Sequence, residues 1–382
     1  MSFWWLVLLT VMNHVSFKGV KVLVTLDALH LGAQPFAVGL LFALFSLLPA
    51  GLAVFAGRVS DRYGPRGPML VGSAGLAGGL LLCFLLPGMV TLYVAVLLIG
   101  GCYIFYTVAG QHLVGAWGDV ASRTRHFSLY SMGNSVTALV GPPLAGFSID
   151  AVGYTNTYLV LAVLPLFPVA FLFYAGRRLP RPQVATPAGP RPSSLDLLGR
   201  PALVRALVVS GIIETGMELF NFYMPLYGHA IGLTPTRIGI VIGTFGGAML
   251  VARALLPALA RRMGEERVLA FTLMLGAITL LGFPFVHEFG VLVALSVAFG
   301  LGLGCCTPLA MMLTYSRAPE GRAGEAMGLR QTFNKVTEIF VPVVFGSLGS
   351  AFGLGPAFWL TSALLGGGAF MMRGEARRAS AR

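Results

Sequence analysis

His14 and Lys18 stand four residues apart in one apolar run, and Glu214 and Glu218 stand four apart in another, 200 residues further on. A spacing of four puts both members of each pair on one face of a helix. A charged side chain at the middle of a bilayer-spanning helix costs about 2.5–3.5 kcal/mol on the insertion scale, so it is expected only where it acts. Three chemistries fit such a set. The carboxylates can carry protons, the charges can exchange partners with a charged solute, or the groups can form permanent salt bridges that hold helices together.

The set extends further. All three lysines, Lys18, Lys21 and Lys335, fall in apolar runs, and Lys335 lies about one turn from Glu338 in "RQTFNKVTEIF". Arg253 sits in another such run. Lys21 is read as close enough to its helix end to snorkel toward the interface. Four fixed cations (Lys18, Lys21, Arg253, Lys335) then stand against three acids (Glu214, Glu218, Glu338), and His14 can add one positive charge. The expected cavity is dipolar and mildly cationic, completed by Tyr106, Gln111, Asn134, Asn221, Tyr223, Gln331 and Asn334.

The elements that must position these residues follow from composition. Of 382 residues, 56% are hydrophobic and 10% charged, with a mean hydropathy of +0.82, against about 25% charged in ordinary soluble domains. Hydropathy gives twelve spans, roughly 3–25, 36–57, 68–87, 90–112, 127–149, 154–176, 202–227, 236–258, 268–287, 290–313, 327–349 and 354–372. The fold class is an all-α membrane protein of two pseudo-symmetric six-helix bundles, 1–176 and 201–382. They are joined by a cytoplasmic linker, 177–200, rich in Pro, Arg, Ser and Thr. The uncharged start, "MSFWWLVLLT", reads as a retained first helix.

The net charge of +12 is not a nucleic-acid footprint, because the arginines cluster between apolar runs. Counted as inner-side charges are Arg58, Arg62, Arg66, Arg261, Arg262, Arg317 and Arg330 among others, against only Arg237 outside, which places both termini in the cytoplasm. Cys83, Cys102, Cys305 and Cys306 show no metal-binding spacing. No metal or other cofactor is expected.

Landmarks recur at an offset of 200: Gly32 and Gly232, Pro35 and Pro235, Gly64 and Gly264, Asn134 and Asn334, Pro142 and Pro342, Gly153 and Gly353. They mark the same helix ends and kinks in each half, as a duplicated unit would. The offset maps His14 onto Glu214 and Lys18 onto Glu218, so the first and seventh helices are expected to carry opposite charges at symmetry-related positions facing a central cavity.

Between the second and third spans, "GRVSDRYGPR" resembles the loop signature of the major facilitator superfamily. The resemblance implies a cytoplasmic gating latch carried by Gly57, Asp61, Arg62, Gly64 and Arg66, with both arginines as counter-charges to Asp61. The fifth span, "GNSVTALVGPPLAG", is similar to the Gly-Pro motif of exporters in that superfamily at Gly133, Gly141, Pro142 and Gly146. In pattern the chain is closest to drug or metabolite antiporters driven by protons. The expectation is a monomeric, multi-pass protein of the inner membrane whose partners are protons, a small anionic or zwitterionic organic solute and the lipid bilayer. Proton-driven uptake of an organic acid, or a receptor or scaffold without transport, are the alternatives. A pump with a phosphate-binding loop is excluded, since no lysine follows a glycine in the required Gly-Lys-Ser/Thr order.

Overall fold

A computed structural model describes residues 3–116, 120–174, 194–319 and 323–380; within these it leaves out the side chains of Val54, Asp61, His112, 115–116, 120–129, Ser131, 194–195, 323–325, Met327 and 375–380. Among the described residues the secondary structure is helical, without strands. The helices are α1 (Phe3–His30), α2 (Pro35–Tyr63), α3 (Arg66–Leu85) and α4 (Met89–Ala116). The run Val120–Tyr174 breaks at Gly153 (φ 81°) into α5, 120–152, and α6, 154–174. Then come α7 (Pro201–Ala230), α8 (Pro235–Met263) and α9 (Glu265–Gly282). α10 runs over Phe289–Gly304 and resumes after Cys305 as Cys306–Arg317, and α11 (Ala323–Phe352) and α12 (Gly355–Ser380) follow. Among the described residues, nine helical stretches are long and apolar enough to cross a membrane, one of them, Met132–Tyr174, containing two helices. This is a multi-pass membrane protein.

The duplication is visible in the backbone itself. Gly32 and Gly232 have φ of 83° and 78°, Gly64 and Gly264 both 82°, and Gly153 and Gly353 81° and 79°. At the end of α1, Gly32 N–H donates to Leu29 O and Ala33 N–H to Ala28 O; at the end of α7, Gly232 N–H donates to His229 O and Leu233 N–H to Gly228 O. Both are Schellman caps with glycine in the left-handed position that costs a residue with a Cβ about 1–2 kcal/mol. Packing repeats as well. A Cβ on Gly100 would lie 2.5 Å from Phe45 O, and one on Gly300 2.5 Å from Phe245 O, so α4 approaches α2 as α10 approaches α8.

Two compact units result: Met1–Thr186 with Pro225–Gly243, and Pro187–Met224 with Thr244–Arg382. In the first, α1 packs along the α5–α6 run and α4 lies against α2 and α3. α1 and α5 cross where Gly19 meets Gly141, with Val15 O and Lys18 Cβ each 2.8 Å from where a Gly141 Cβ would be. In the second, α9 packs between α10 and α12. The segment Pro225–Gly243 joins the first unit although it belongs to the second sequence half. Gly239 admits the Pro142–Pro143 backbone of α5, Gly243 admits the Pro143 ring and the Leu139 carbonyl, and Gly146 admits Pro235. Asp150 Oδ2 accepts the Thr236 N–H at 2.9 Å, an acid placed at the positive N-terminal end of α8.

Candidate transport site

In the second unit, four side chains of α7 and α11 form one directed chain. Arg330 Nη1 donates to Ser210 Oγ at 3.2 Å, Ser210 Oγ donates to Asn334 Oδ1 at 3.1 Å, and Asn334 Nδ2 donates to Glu214 Oε2 at 3.1 Å. The order is fixed by chemistry. An ionised carboxylate only accepts, so Asn334 turns its NH₂ toward Glu214 and its oxygen toward Ser210. The Ser210 hydroxyl must then donate, which leaves its lone pair for the guanidinium, a pure donor. Arg330, Ser210 and Asn334 are buried, where each bond of such a chain is electrostatically stronger than in water.

Arg330 is the residue that sequence reasoning placed elsewhere. The sequence counts it among the inner-side topogenic charges, yet it lies in α11, 3% exposed, and interacts electrostatically with Glu214. One signal could have found it: the 200-residue offset pairs Tyr130 with Arg330 and Thr10 with Ser210, just as it pairs His14 with Glu214 and Asn134 with Asn334.

The same positions in the first unit hold a site of different chemistry. His14 is buried, its Nδ1 donating to Thr10 O at 2.9 Å. A carbonyl only accepts, so Nδ1 carries the hydrogen and Nε2 is the nitrogen left to take a proton. Tyr103, Tyr106 and Tyr130 surround the ring edge-on, with centroids at 5.3, 6.2 and 6.5 Å. The Tyr106 hydroxyl lies 3.4 Å from Thr10 Oγ1. Beside His14, Asn13 donates to Ser73 Oγ at 3.1 Å. Asn13 Oδ1, Asn134 Oδ1 and the hydroxyls of Tyr103 and Tyr130 are buried without a protein hydrogen-bond partner among the described residues.

The remaining candidates are distributed as follows. Lys335 Nζ lies 2.6 and 2.7 Å from the two oxygens of Glu338, both on α11, and is also in the field of Glu214 and Glu218. Glu218 is buried on α7. Lys18 is half-buried beside Gly141. Lys21 is not at a helix end: α1 continues more than two turns beyond it to His30. Its ammonium lies 4.5 Å from the Phe42 ring centroid, with Phe17 and Phe45 next nearest, so cation–π attraction stands where snorkelling was expected. Arg253 Nε donates to Gly304 O at 3.4 Å, where α10 breaks.

Other polar candidates fall outside both groups. Asn221 donates to Met217 O of its own helix at 2.8 Å. Tyr223 is packed among Phe222, Phe345 and Phe358 and donates to Phe345 O at 3.1 Å, a core position rather than a cavity wall. Gln111 and Gln331 are exposed. Asp27 was not a candidate, because the first span was expected to stop at residue 25. It accepts from the Tyr158 hydroxyl at 2.7 Å.

In the loop between α2 and α3, Gly64 takes the left-handed turn and Gly57 faces Val108. The Asp61 side chain lies outside the described residues. Arg66 caps α6, its Nε donating to Leu172 O at 2.8 Å and its Nη2 to Phe173 O at 2.7 Å, while Arg62 lies over the Tyr63 ring. Along α5, Gly133 and Gly141 face α1, whereas Pro142 and Gly146 face the start of α8. Among the described residues no group of three or more His, Cys, Asp or Glu could hold a metal ion.

The model of the Major Facilitator Superfamily matches residues 6–342 and 206–381. The chain belongs to that superfamily. Similar curated relatives are Sugar efflux transporter A of Escherichia coli, 24% identical over 88% of this chain and 86% of the relative, and Multidrug resistance protein MdtG of Dickeya zeae, 25% identical over 90% and 85%. Among solved structures, a variant of the nucleoside transporter NupG superposes with a TM-score of 0.81 at 12% identity, covering 97% of this chain and 98% of that one. A variant of the peptide transporter POT gives 0.83 at 13%, covering 98% and 94%. These likenesses show the fold, and the two-bundle architecture of this superfamily is the fold of this transporter.

Proposed function

We propose that this protein is a proton-coupled secondary transporter that exports a small organic solute across the inner membrane by alternating access, with both termini cytoplasmic. The observation that carries the reading is the Arg330–Ser210–Asn334–Glu214 chain between α7 and α11. A carboxylate bound by a neutral amide from a second helix can change its surroundings when the two helices move, as a proton carrier must. Lys335 and Glu338 ride on one helix and stay together whatever that helix does. Glu214, with Glu218 one turn away, is therefore the proton site.

The solute is a small organic anion or zwitterion. An acidic group is drawn to Lys18, and the His14–tyrosine cluster offers hydrogen-bonding atoms for the rest of the molecule. The efflux names of the relatives favour export over uptake. The inner-side excess of arginines supports the orientation.

The test is transport by purified protein in proteoliposomes under an imposed proton gradient, with solutes first selected by thermal shift from organic acids and amino-acid-like compounds. Glu214→Gln should abolish gradient-driven flux with the thermal unfolding profile retained. Undiminished gradient-driven flux in that variant would remove Glu214 from the mechanism.

A further inference from the structure

A groove outside the site runs between α9 and α12 at one end of the second unit. Its walls are Arg267, Ala270, Phe271 and Met274 from α9 and Ala369, Phe370 and Arg373 from α12, enclosing about 260 Å³. The spacing explains the groove. Positions 267, 270, 271 and 274 fall on one helical face, as do 369, 370 and 373, and α9 packs directly on α12. Ala270 and Ala369 are too small to fill the space between the helices, and Phe271 and Phe370, 62% and 64% exposed, stand as its rims.

The two arginines come from different helices, Arg267 from the first turn of α9 and Arg373 from the last part of α12, and both line the groove. Both are exposed, and neither makes an ion pair or hydrogen bond among the described residues. Guanidinium groups match phosphate oxygens in geometry and charge. Basic sites between transmembrane helices at a membrane surface, with an apolar trough leading from them into the hydrocarbon, fit a molecule that has an anionic head and an apolar tail.

We infer that the α9–α12 groove is a binding site for an anionic phospholipid, its phosphate held between Arg267 and Arg373 and an acyl chain lying between Phe271 and Phe370. The inference is independent of the proton site, which lies on α7 and α11. A lipid here would brace α9 against α12.

The experiment is native mass spectrometry of the full-length protein released from detergent, titrated in parallel with phosphatidylglycerol, phosphatidylcholine and inorganic phosphate. Phosphatidylglycerol should be retained as a discrete adduct under activation that strips phosphatidylcholine, and inorganic phosphate should neither bind nor compete. Arg267→Gln with Arg373→Gln should weaken that retention on the order of tenfold or more, from two surface cations near the headgroup. Arg261→Gln with Arg262→Gln, which removes the same charge from the end of α8, should leave it unchanged. Equal retention of the two lipids by the unaltered protein overturns the inference. So does equal loss in both double variants, or displacement of the lipid by free phosphate.

Discussion

Asn334 is the joint between α7 and α11, and replacing it by alanine should loosen both stability and transport by a calculable amount. The substitution removes two hydrogen bonds, each 3.1 Å long, one to Ser210 and one to Glu214. Side-chain hydrogen bonds between transmembrane helices average about 0.6 kcal/mol and reach about 1.7. A charge-assisted bond is roughly twice as strong as a neutral one. The Ser210 bond is thus worth about 0.6 kcal/mol and the Glu214 bond about 1.2, a sum of about 1.8 kcal/mol. In a bundle of this size that lowers the unfolding midpoint by about 4–7 °C. The decisive measurement is a double-mutant cycle of Asn334→Ala and Glu214→Ala, read by thermal unfolding in detergent. It should return a coupling of about 1 kcal/mol. Effects that add within about 0.3 kcal/mol would refute the view that Asn334 holds Glu214, and with it the role given to the α7–α11 joint.

Gly100→Ala and Gly300→Ala should each destabilise the protein by about 1–3 kcal/mol in chemical or thermal unfolding, because both place a Cβ 2.5 Å from a backbone oxygen of the neighbouring helix. Gly51→Ala, with nothing within 4 Å of the new Cβ, should be neutral or slightly stabilising in the same assay. Arg66→Gln should cost about 1–2 kcal/mol through loss of the bonds to Leu172 O and Phe173 O, seen as faster hydrogen exchange at the end of α6. Glu338→Gln should reduce the solute transport rate yet keep its response to an imposed proton gradient, whereas Glu214→Gln should lose that response; the two are compared in the same proteoliposomes.

The helices were legible because apolar runs of the required length are interrupted by glycine, proline and arginine at every turn. The error at the end of α1 has a physical cause. Asp27 and His30 lower the hydropathy, but the helix continues until Gly32 can adopt the left-handed cap. The pairing of Glu214 with Asn334 was within reach of the 200-residue offset, which named both residues without showing that they touch. Arg330 was misplaced because an arginine near the end of an apolar run reads as a topogenic charge, and only burial separates a structural cation from one in water. Tyr223 was chosen for its hydroxyl. Its surroundings of Phe222, Phe345 and Phe358 are set by which helices meet, which periodicity within a single helix does not encode.

The two copies of the duplicated unit have kept one scaffold and exchanged its chemistry. Thr10, His14, Tyr130 and Asn134 became, 200 residues later, Ser210, Glu214, Arg330 and Asn334. A hydroxyl on the first or seventh helix and an amide on the fifth or eleventh are common to both. What differs is the ionisable pair: an imidazole among tyrosines in one copy, and a carboxylate with a guanidinium in the other. The first set has no fixed charge of its own: His14 donates from Nδ1 to Thr10 O, and Nε2 is the nitrogen left to take a proton. The second holds opposite charges on two helices, joined to each other through Ser210 and Asn334. In the second copy one proton would cancel a charge that a second helix is arranged to oppose, and this asymmetry within a symmetric fold is why the proposed coupling is assigned to Glu214 rather than to His14.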